Sequence, residues 1–354
     1  MKLDLNKILP LVDTKYISIQ KHPTEELFIY NYTQKCQFDR VWTEETLMCR
    51  GIIVDKEGNI LAKPFNKFFN YEEHVGEDSK LPQLPLEDFE VFDKLDGSLG
   101  ILYWIGDTPH IATRGSFTSD QAIKATQILH NKYKNVKLYP GVTYLFEIIY
   151  PENRIVVDYG PMEDLYLLAA IDTETGKEMV YEWLKECHGA DFPIISRYDG
   201  ITDLTKIKEL GKENSEGFVI KFKNGIRTKI KLEEYVRLHR LVTGVNAKTI
   251  WEHLKDGTGI EEIIDRVPDE FYHWVKKTHG SLLQQYLDIE ANATRDYGMV
   301  RNMDTRKEQA IFLQTNSNYA GVVFKMLDEQ PYDQIIWKLI RPEATRPYKE
   351  DIDA

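Results

Sequence analysis

The chain has 354 residues, a formal net charge of −12, 42% hydrophobic and 12% aromatic residues, and three cysteines. That length points to two domains with sizeable cores, and the acidic balance argues against tracking along a duplex, because phosphate binding is driven by cations. The odd, scattered Cys36, Cys49 and Cys187 argue against a disulfide framework or zinc cluster, no apolar run reaches membrane-spanning length, and residues 1–6 lack a signal-peptide hydrophobic region.

From residue 27 to residue 222 the chain reads as short β-rich runs broken by Gly, Pro and Asn. Strand composition is found at 28–30, 51–54, 99–104, 144–150 and 166–171. Helical spacing marks 119–132 and 177–186, and the Pro-containing stretch 81–85 reads as a linker. After residue 241 apolar residues recur at helical spacing over 248–254, 261–264, 270–277 and 281–291, with almost no strand patterning. The fold class expected is α+β: antiparallel sheets with flanking helices over residues 1–240, then an all-helical domain over 241–354. Each cysteine is expected as a small buried apolar residue in a reducing, cytoplasmic setting.

The chemistry-bearing residues follow one order. Lys94-Leu95-Asp96-Gly97-Ser98-Leu99 lies between two β-like runs. A lysine becomes a nucleophile only where burial, neighbouring cations or a metal favour its free amine, and Gly97 would let the backbone approach a phosphate. Glu147 sits within the apolar run Leu145-Phe146-Glu147-Ile148-Ile149, where a carboxylate is costly without a partner. Lys229 and Lys231 are two residues apart and so share a face of any strand. They belong to a local basic run, Lys221 to Arg240, within an otherwise acidic chain. No Gly-x-Gly-x-x-Gly, His-Arg-Asp or Asp-Phe-Gly element is present, which removes a protein kinase, and Gly176-Lys177 lacks the Walker first glycine.

The ordered set resembles the nucleotidyltransferase motifs of covalent ligases and capping enzymes, and more closely the bacteriophage RNA ligase 1 family of tRNA-repair ligases. It comprises Arg50-Gly51, Lys67-Phe68-Phe69-Asn70, Asp96-Gly97-Ser98-Leu99, Thr113-Arg114-Gly115, Asn153-Arg154-Ile155-Val156, Glu216-Gly217-Phe218-Val219 and Lys229-Ile230-Lys231, followed by Tyr235-Val236 and Leu238-His239. The resemblance runs from about Tyr30 to His239 and implies an ATP-dependent RNA ligase acting through lysyl-AMP and RNA-adenylate intermediates. It implies that Lys94 is the nucleophile, assisted by Asp96. Tyr30, Arg50 and Lys67 would contact ATP, Glu147 the ribose hydroxyls, and Lys229 and Lys231 the α-phosphate, where they would also favour the free amine of Lys94. Phe218 is a candidate adenine platform that reads equally well as core. Glu216 would hold magnesium or manganese, with Glu261 a second metal candidate and a solvated helix start its rival. Arg114, Arg154 and Tyr235 would serve the RNA. The partners implied are ATP and single-stranded RNA ends, a nicked tRNA anticodon loop among them, with the protein a monomer in the cytoplasm. A DNA ligase or capping enzyme would carry a barrel domain after Lys231, where none is patterned. A non-catalytic ATP- or RNA-binding module is the remaining alternative.

Overall fold

Alternation of apolar and polar residues becomes three sheets in the computed structural model, which describes residues 1–75, 79, 81–258, 263 and 272–342, with backbone alone at 240–243, 272 and 273. Two compact units result, Met1–Leu238 and His239–Ala354.

The first unit opens with α1 (Leu5–Asp13), β1 (Ile17–Lys21), β2 (Leu27–Tyr32), α2 (Gln34–Asp39), α3 (Glu44–Met48), β3 (Arg50–Asp55) and β4 (Ile60–Ala62). β5 (Phe69–Asn70), α4 (Tyr71–Val75), β6 (Phe89–Lys94), β7 (Ser98–Ile105), β8 (Thr108–Thr113), α5 (Asp120–Lys132), β9 (Val142–Ile149) and β10 (Asp164–Asp172) follow. The unit ends with α6 (Tyr181–His188), β11 (Arg197–Tyr198), β12 (Gly217–Phe222), β13 (Arg227–Lys231) and the start of α7 (Glu233–Thr243). The sheet orders are β1-β2-β3-β4, β10-β9-β7-β8 and β11-β6-β12-β13-β5. Every named pair is antiparallel except β13 with β5.

Register decides which side chains meet, because directly paired residues share a face. Lys94, Gly217 and Lys231 are in line across β6, β12 and β13, and so are Phe92, Val219 and Lys229. The opposite face carries Val91, Phe218, Ile220, Phe222 and Ile230, which pack with Ile207 as a core. Gly217 is obligatory: its φ is +150°, and a Cβ there would lie 2.1 Å from the Ile230 carbonyl oxygen. The middle sheet is packed on both faces, with Leu102, Phe146, Leu165 and Leu167 towards α5 and α6, and Ile101, Tyr103, Leu145 and Ala169 towards Ile29 and Ile53.

The second unit contains helices Ala247–Lys255, Tyr272–Val300, Arg306–Asn316, Ala320–Leu327 and Asp333–Leu339, with no strand among its described residues. Asn246 with Thr249 and Thr305 with Glu308 form capping boxes. Trp251 Nε1 donates to the Trp337 carbonyl (2.8 Å), and Tyr286 packs on Trp337 while its hydroxyl donates to Asp333 (2.7 Å).

Three expectations change. The helix expected at 177–186 is Tyr181–His188, because residues 177–179 stay extended, with Met179 N–H bonded to the Ala170 carbonyl. The two helices expected at 270–277 and 281–291 are one helix, Tyr272–Val300; Gly280 has open space around it and does not break the ladder. Cys36 and Cys49 are buried, with thiols pushed up by burial to about 11 and about 12, whereas Cys187 is exposed. Of the run 261–264, only Ile263 lies within the described residues.

His188 is buried at 1% exposure against Tyr144 and Trp183, and neither ring nitrogen has a hydrogen-bond partner. Burial lowers its pKa, opposed by the charge of Asp191. The folded state therefore takes the proton less readily than the unfolded chain, so stability falls as pH drops through the unfolded value of about 6.5. His188→Phe should shrink the loss of melting temperature between about pH 7.5 and about pH 5.5, a range that brackets that value. An unchanged loss would clear His188 of the effect.

Candidate active site

The loop of residues 95–97 leaves β6 of the five-stranded sheet and enters β7 of the four-stranded one, so Lys94 stands where the two sheets part. Its Nζ lies 2.7 Å from Glu216 Oε2, and Lys231 Nζ lies 3.2 Å from Glu216 Oε1. The Glu216 side chain is 3% exposed, that of Lys94 22%. One carboxylate out of water thus bridges two ammonium groups, and Lys229, also buried, shares their face of the sheet. Across the loop, Gly97 N–H donates to Glu147 Oε1 (2.9 Å). A Cβ on Gly97 would lie 2.6 Å from the Ile148 carbonyl oxygen and 3.1 Å from Glu147 Cγ, so this approach requires glycine. Burial pushes the Glu147 carboxyl up to about 7, Glu216 and Asp96 add to the rise, and Lys94 opposes it. Part of Glu147 still reaches the surface.

Cations from the amino-terminal segments complete the arrangement. β5 runs parallel to β13, pairing Asn70 with Lys229, and Thr228 Oγ1 donates to the Phe69 carbonyl (2.9 Å). This fastens the segment bearing Lys67 beside Lys229. Lys67 is buried, its Nζ 5.5 Å from the Tyr32 ring centroid, 5.6 Å from Trp42 and 5.2 Å from Phe69. Such a cage holds an ammonium by the negative faces of its rings. Arg114 stacks on Tyr32 at 5.0 Å and donates to its hydroxyl (2.7 Å). Arg50 lies over Phe68 at 5.3 Å, and Gly51 abuts the Arg114 backbone.

Other expected residues are placed differently. Asp96 does not face Lys94's partners: its carboxylate accepts from Val156 N (2.8 Å), Val157 N (2.8 Å) and the Tyr235 hydroxyl (2.7 Å), while its own N–H donates to the Tyr159 hydroxyl (2.8 Å). It is a positioning residue that ties the lysine loop to residues 156–157 and to α7. Tyr235 is buried at 4% with its ring 5.2 Å from Lys231 Nζ, so it is not presented to RNA. Phe218 is core, one residue out of phase with the lysine face and packed edge-on against Tyr198. The apolar residues on the lysine face are Val219 and Phe92. Tyr30 is buried against α1 with Ile8 and Ile52; Tyr32, two residues on, is the aromatic that reaches the cations. The sequence signal missed was the grouping of Tyr32, Trp42 and Phe69 around one lysine. Arg154 is half-exposed and paired with Asp158 (2.8 Å), beside a cavity of about 330 Å³ that Asp96, Asn153 and Tyr159 also line. Glu261 lies outside the described residues.

The described residues hold no cluster of three His, Cys, Asp or Glu side chains that would bind a metal unaided. Magnesium keeps waters and takes phosphate oxygens, so it needs only one or two carboxylates. Glu216 is one such carboxylate, and because Lys94 and Lys231 engage both its oxygens, an ion there would have to displace an ammonium group.

The RNA ligase family model matches residues 48–236. A protein provisionally named bifunctional polynucleotide kinase/RNA ligase in Autographa californica nuclear polyhedrosis virus is 28% identical over 255 residues, 65% of this chain and 36% of its own length. A protein provisionally named RNA ligase in Thermovibrio ammonificans is 28% identical over 228 residues, 62% of this chain and 58% of its own. The RNA ligase of Rhodothermus phage RM378 is 25% identical over 295 residues, 64% of this chain and 66% of its own. The chain thus spans less than two thirds of the length of each of these relatives. A solved archaeal ATP-dependent RNA ligase overlaps with a TM-score of 0.48 at 13% identity, covering 80% of this chain and 79% of that one, too loosely to bear on function.

Because the Tyr235 hydroxyl donates to a buried carboxylate, Tyr235→Phe should cost about 1.5–3 kcal/mol of stability, the range for hydrogen bonds to charged groups. Urea unfolding of the two proteins measures this directly; a loss within error would show that the contact carries no weight.

Proposed function

This chain belongs to the RNA ligase family, and from that membership we propose that it joins 3′-hydroxyl and 5′-phosphate RNA ends at the expense of ATP, by way of lysyl-AMP on Lys94. The observation that carries the reading is the Lys94–Glu216–Lys231 bridge at 2.7 and 3.2 Å, with Lys229 beside it. An ion-paired lysine has no lone pair to give. In the proposed first step the Lys94 ammonium loses one proton to water, its free amine attacks the α-phosphorus of ATP, and the nitrogen sheds a second proton to water as the phosphoramidate forms. The N–P bond forms, the P–O bond to the β-phosphate breaks, and pyrophosphate leaves. Covalent catalysis of this kind divides one hard transfer into easier ones. AMP then passes to the RNA 5′-phosphate, and the RNA 3′-hydroxyl displaces it.

Charge develops on the non-bridging oxygens in each transfer, so cations held in place beforehand lower the barrier. Lys229 and Lys231 would serve the α-phosphate. Lys67, Arg50 and Arg114, fixed by aromatic rings, would serve the outer phosphates or the RNA 5′-phosphate. Glu147, as a carboxylate, would accept from the ribose hydroxyls, and Arg154 would meet the RNA beside its cavity. A magnesium or manganese ion held by Glu216 would supply further neutralisation of phosphate charge when bound. A nicked tRNA anticodon loop as substrate, RNA selection by the helical unit, a monomeric state and a cytoplasmic setting complete the proposal.

The test is incubation with α-labelled ATP and magnesium, wild type beside Lys94→Ala, read by denaturing gel and intact mass. Wild type alone should carry AMP and should release it to 5′-phosphorylated RNA but not to the equivalent DNA. No adduct on AMP-free wild type would sink the reading. Lys229→Ala should slow adduct formation by about 10²–10³-fold, the scale for removing one preorganised charge-stabilising group.

A further inference from the structure

The far end of β7 bears a second cavity that the proposed ligation chemistry does not use. It measures about 440 Å³ and is lined by Trp104, Asp107, His130, Tyr133, Lys134 and Lys137 among others. Trp104 packs at the edge of the core beneath α5, and its indole N–H, out of water, has no hydrogen-bond partner. Lys134 and Lys137 are exposed and form no ion pair with any described residue, in contrast to Lys124 and Lys132 nearby, which pair with Glu163 and Asp164. Lys137 instead lies over the Tyr139 ring at 5.1 Å.

The strand itself relates this cavity to the lysine loop. Ser98, whose hydroxyl donates to Asn153 (3.2 Å) beside the 330 Å³ cavity, and Trp104 have the same parity on β7 and share its α5-facing side. Six residues separate them, about 20 Å at the rise of an extended strand. That is the length of at most about six stacked nucleotides at about 3.4 Å each.

We propose that this cavity is a distal nucleotide subsite for the RNA substrate, an inference that rests on the RNA-ligase reading. A base would enter between the aromatic and aliphatic walls, while Lys134 and Lys137 meet the flanking phosphates. The volume falls in the range of small-ligand sites, and a base slot with cationic rims is how single strands are held without strong sequence preference. The pair of lysines outnumbers the one carboxylate of the lining, the exposed Asp107, and so provides local attraction that the acidic chain as a whole withholds.

The experiment measures binding of end-labelled RNA to the full chain by fluorescence anisotropy. It uses a long RNA of about ten nucleotides, which spans the 20 Å, and a short one of about two, which does not. Lys134→Glu with Lys137→Glu should weaken the long RNA about tenfold and spare the short one. The log–log salt slope for the long RNA should flatten by about 1.4, about 0.7 for each lost single-strand phosphate contact. Trp104→Phe, which replaces the indole wall by a smaller phenyl one, should weaken the long RNA severalfold. Equal effects on both lengths, or none on either, would overturn the subsite. AMP transfer to the protein, measured on the same preparations, reports separately on the ligase reading, since it needs no RNA.

Discussion

A carboxylate buried between two lysines is the constraint around which this molecule is arranged. Glu216 has almost no water to solvate it, so its charge is tolerable only while Lys94 and Lys231 remain within reach. Removing either partner from such a group costs about 3–5 kcal/mol, whereas the intact bridge adds little net stability. Its value lies in geometry. The bridge exists because β6, β12 and β13 pair in one register, and a slip of one residue would send every lysine to the core face. Gly217 permits that register, since a Cβ there would lie 2.1 Å from the Ile230 carbonyl oxygen, and β5 then carries Lys67 to the same edge.

Much of this arrangement was legible because strands speak in parity and buried charge speaks in cost. The two-residue spacing of Lys229 and Lys231 and the carboxylate inside Leu145–Ile149 both led to residues that the fold gathers near Lys94. Parity also explains the misreadings. Phe218 belongs to the same motif as Glu216 but to the opposite face, a distinction that only the pairing with Asp93 and Ile230 reveals. Tyr30 and Tyr32 look interchangeable in sequence, yet the register irregularity between Tyr30 and Asn31 separates a core tyrosine from one that meets Arg114. Asp96 with Tyr235 left no local signal, since the bond joins residues 139 apart. The continuous helix through Gly280 was hidden because a single exposed glycine costs a helix only about 1 kcal/mol.

The proposed function sets an acidic chain against an anionic substrate, and the charge distribution bears on that tension. Carboxylates dominate the total, but the cations beside Lys94 are confined and oriented by aromatic rings and strand edges rather than spread as a field. Attraction of that kind is short in range. On the proposed function, it would favour the end of a strand over its length.

Asp96 has one more consequence. Its single carboxylate closes a ring of segments, with the lysine loop, residues 156–157 and the first turn of α7 all fastened to it. Segments pinned at one point cannot loosen one at a time. In hydrogen exchange the amides of Val156 and Val157 should therefore open together with those of the lysine loop, as one cooperative unit. The position of Lys94, the nucleophile we propose, thus rests on the contacts of a carboxylate two residues further on.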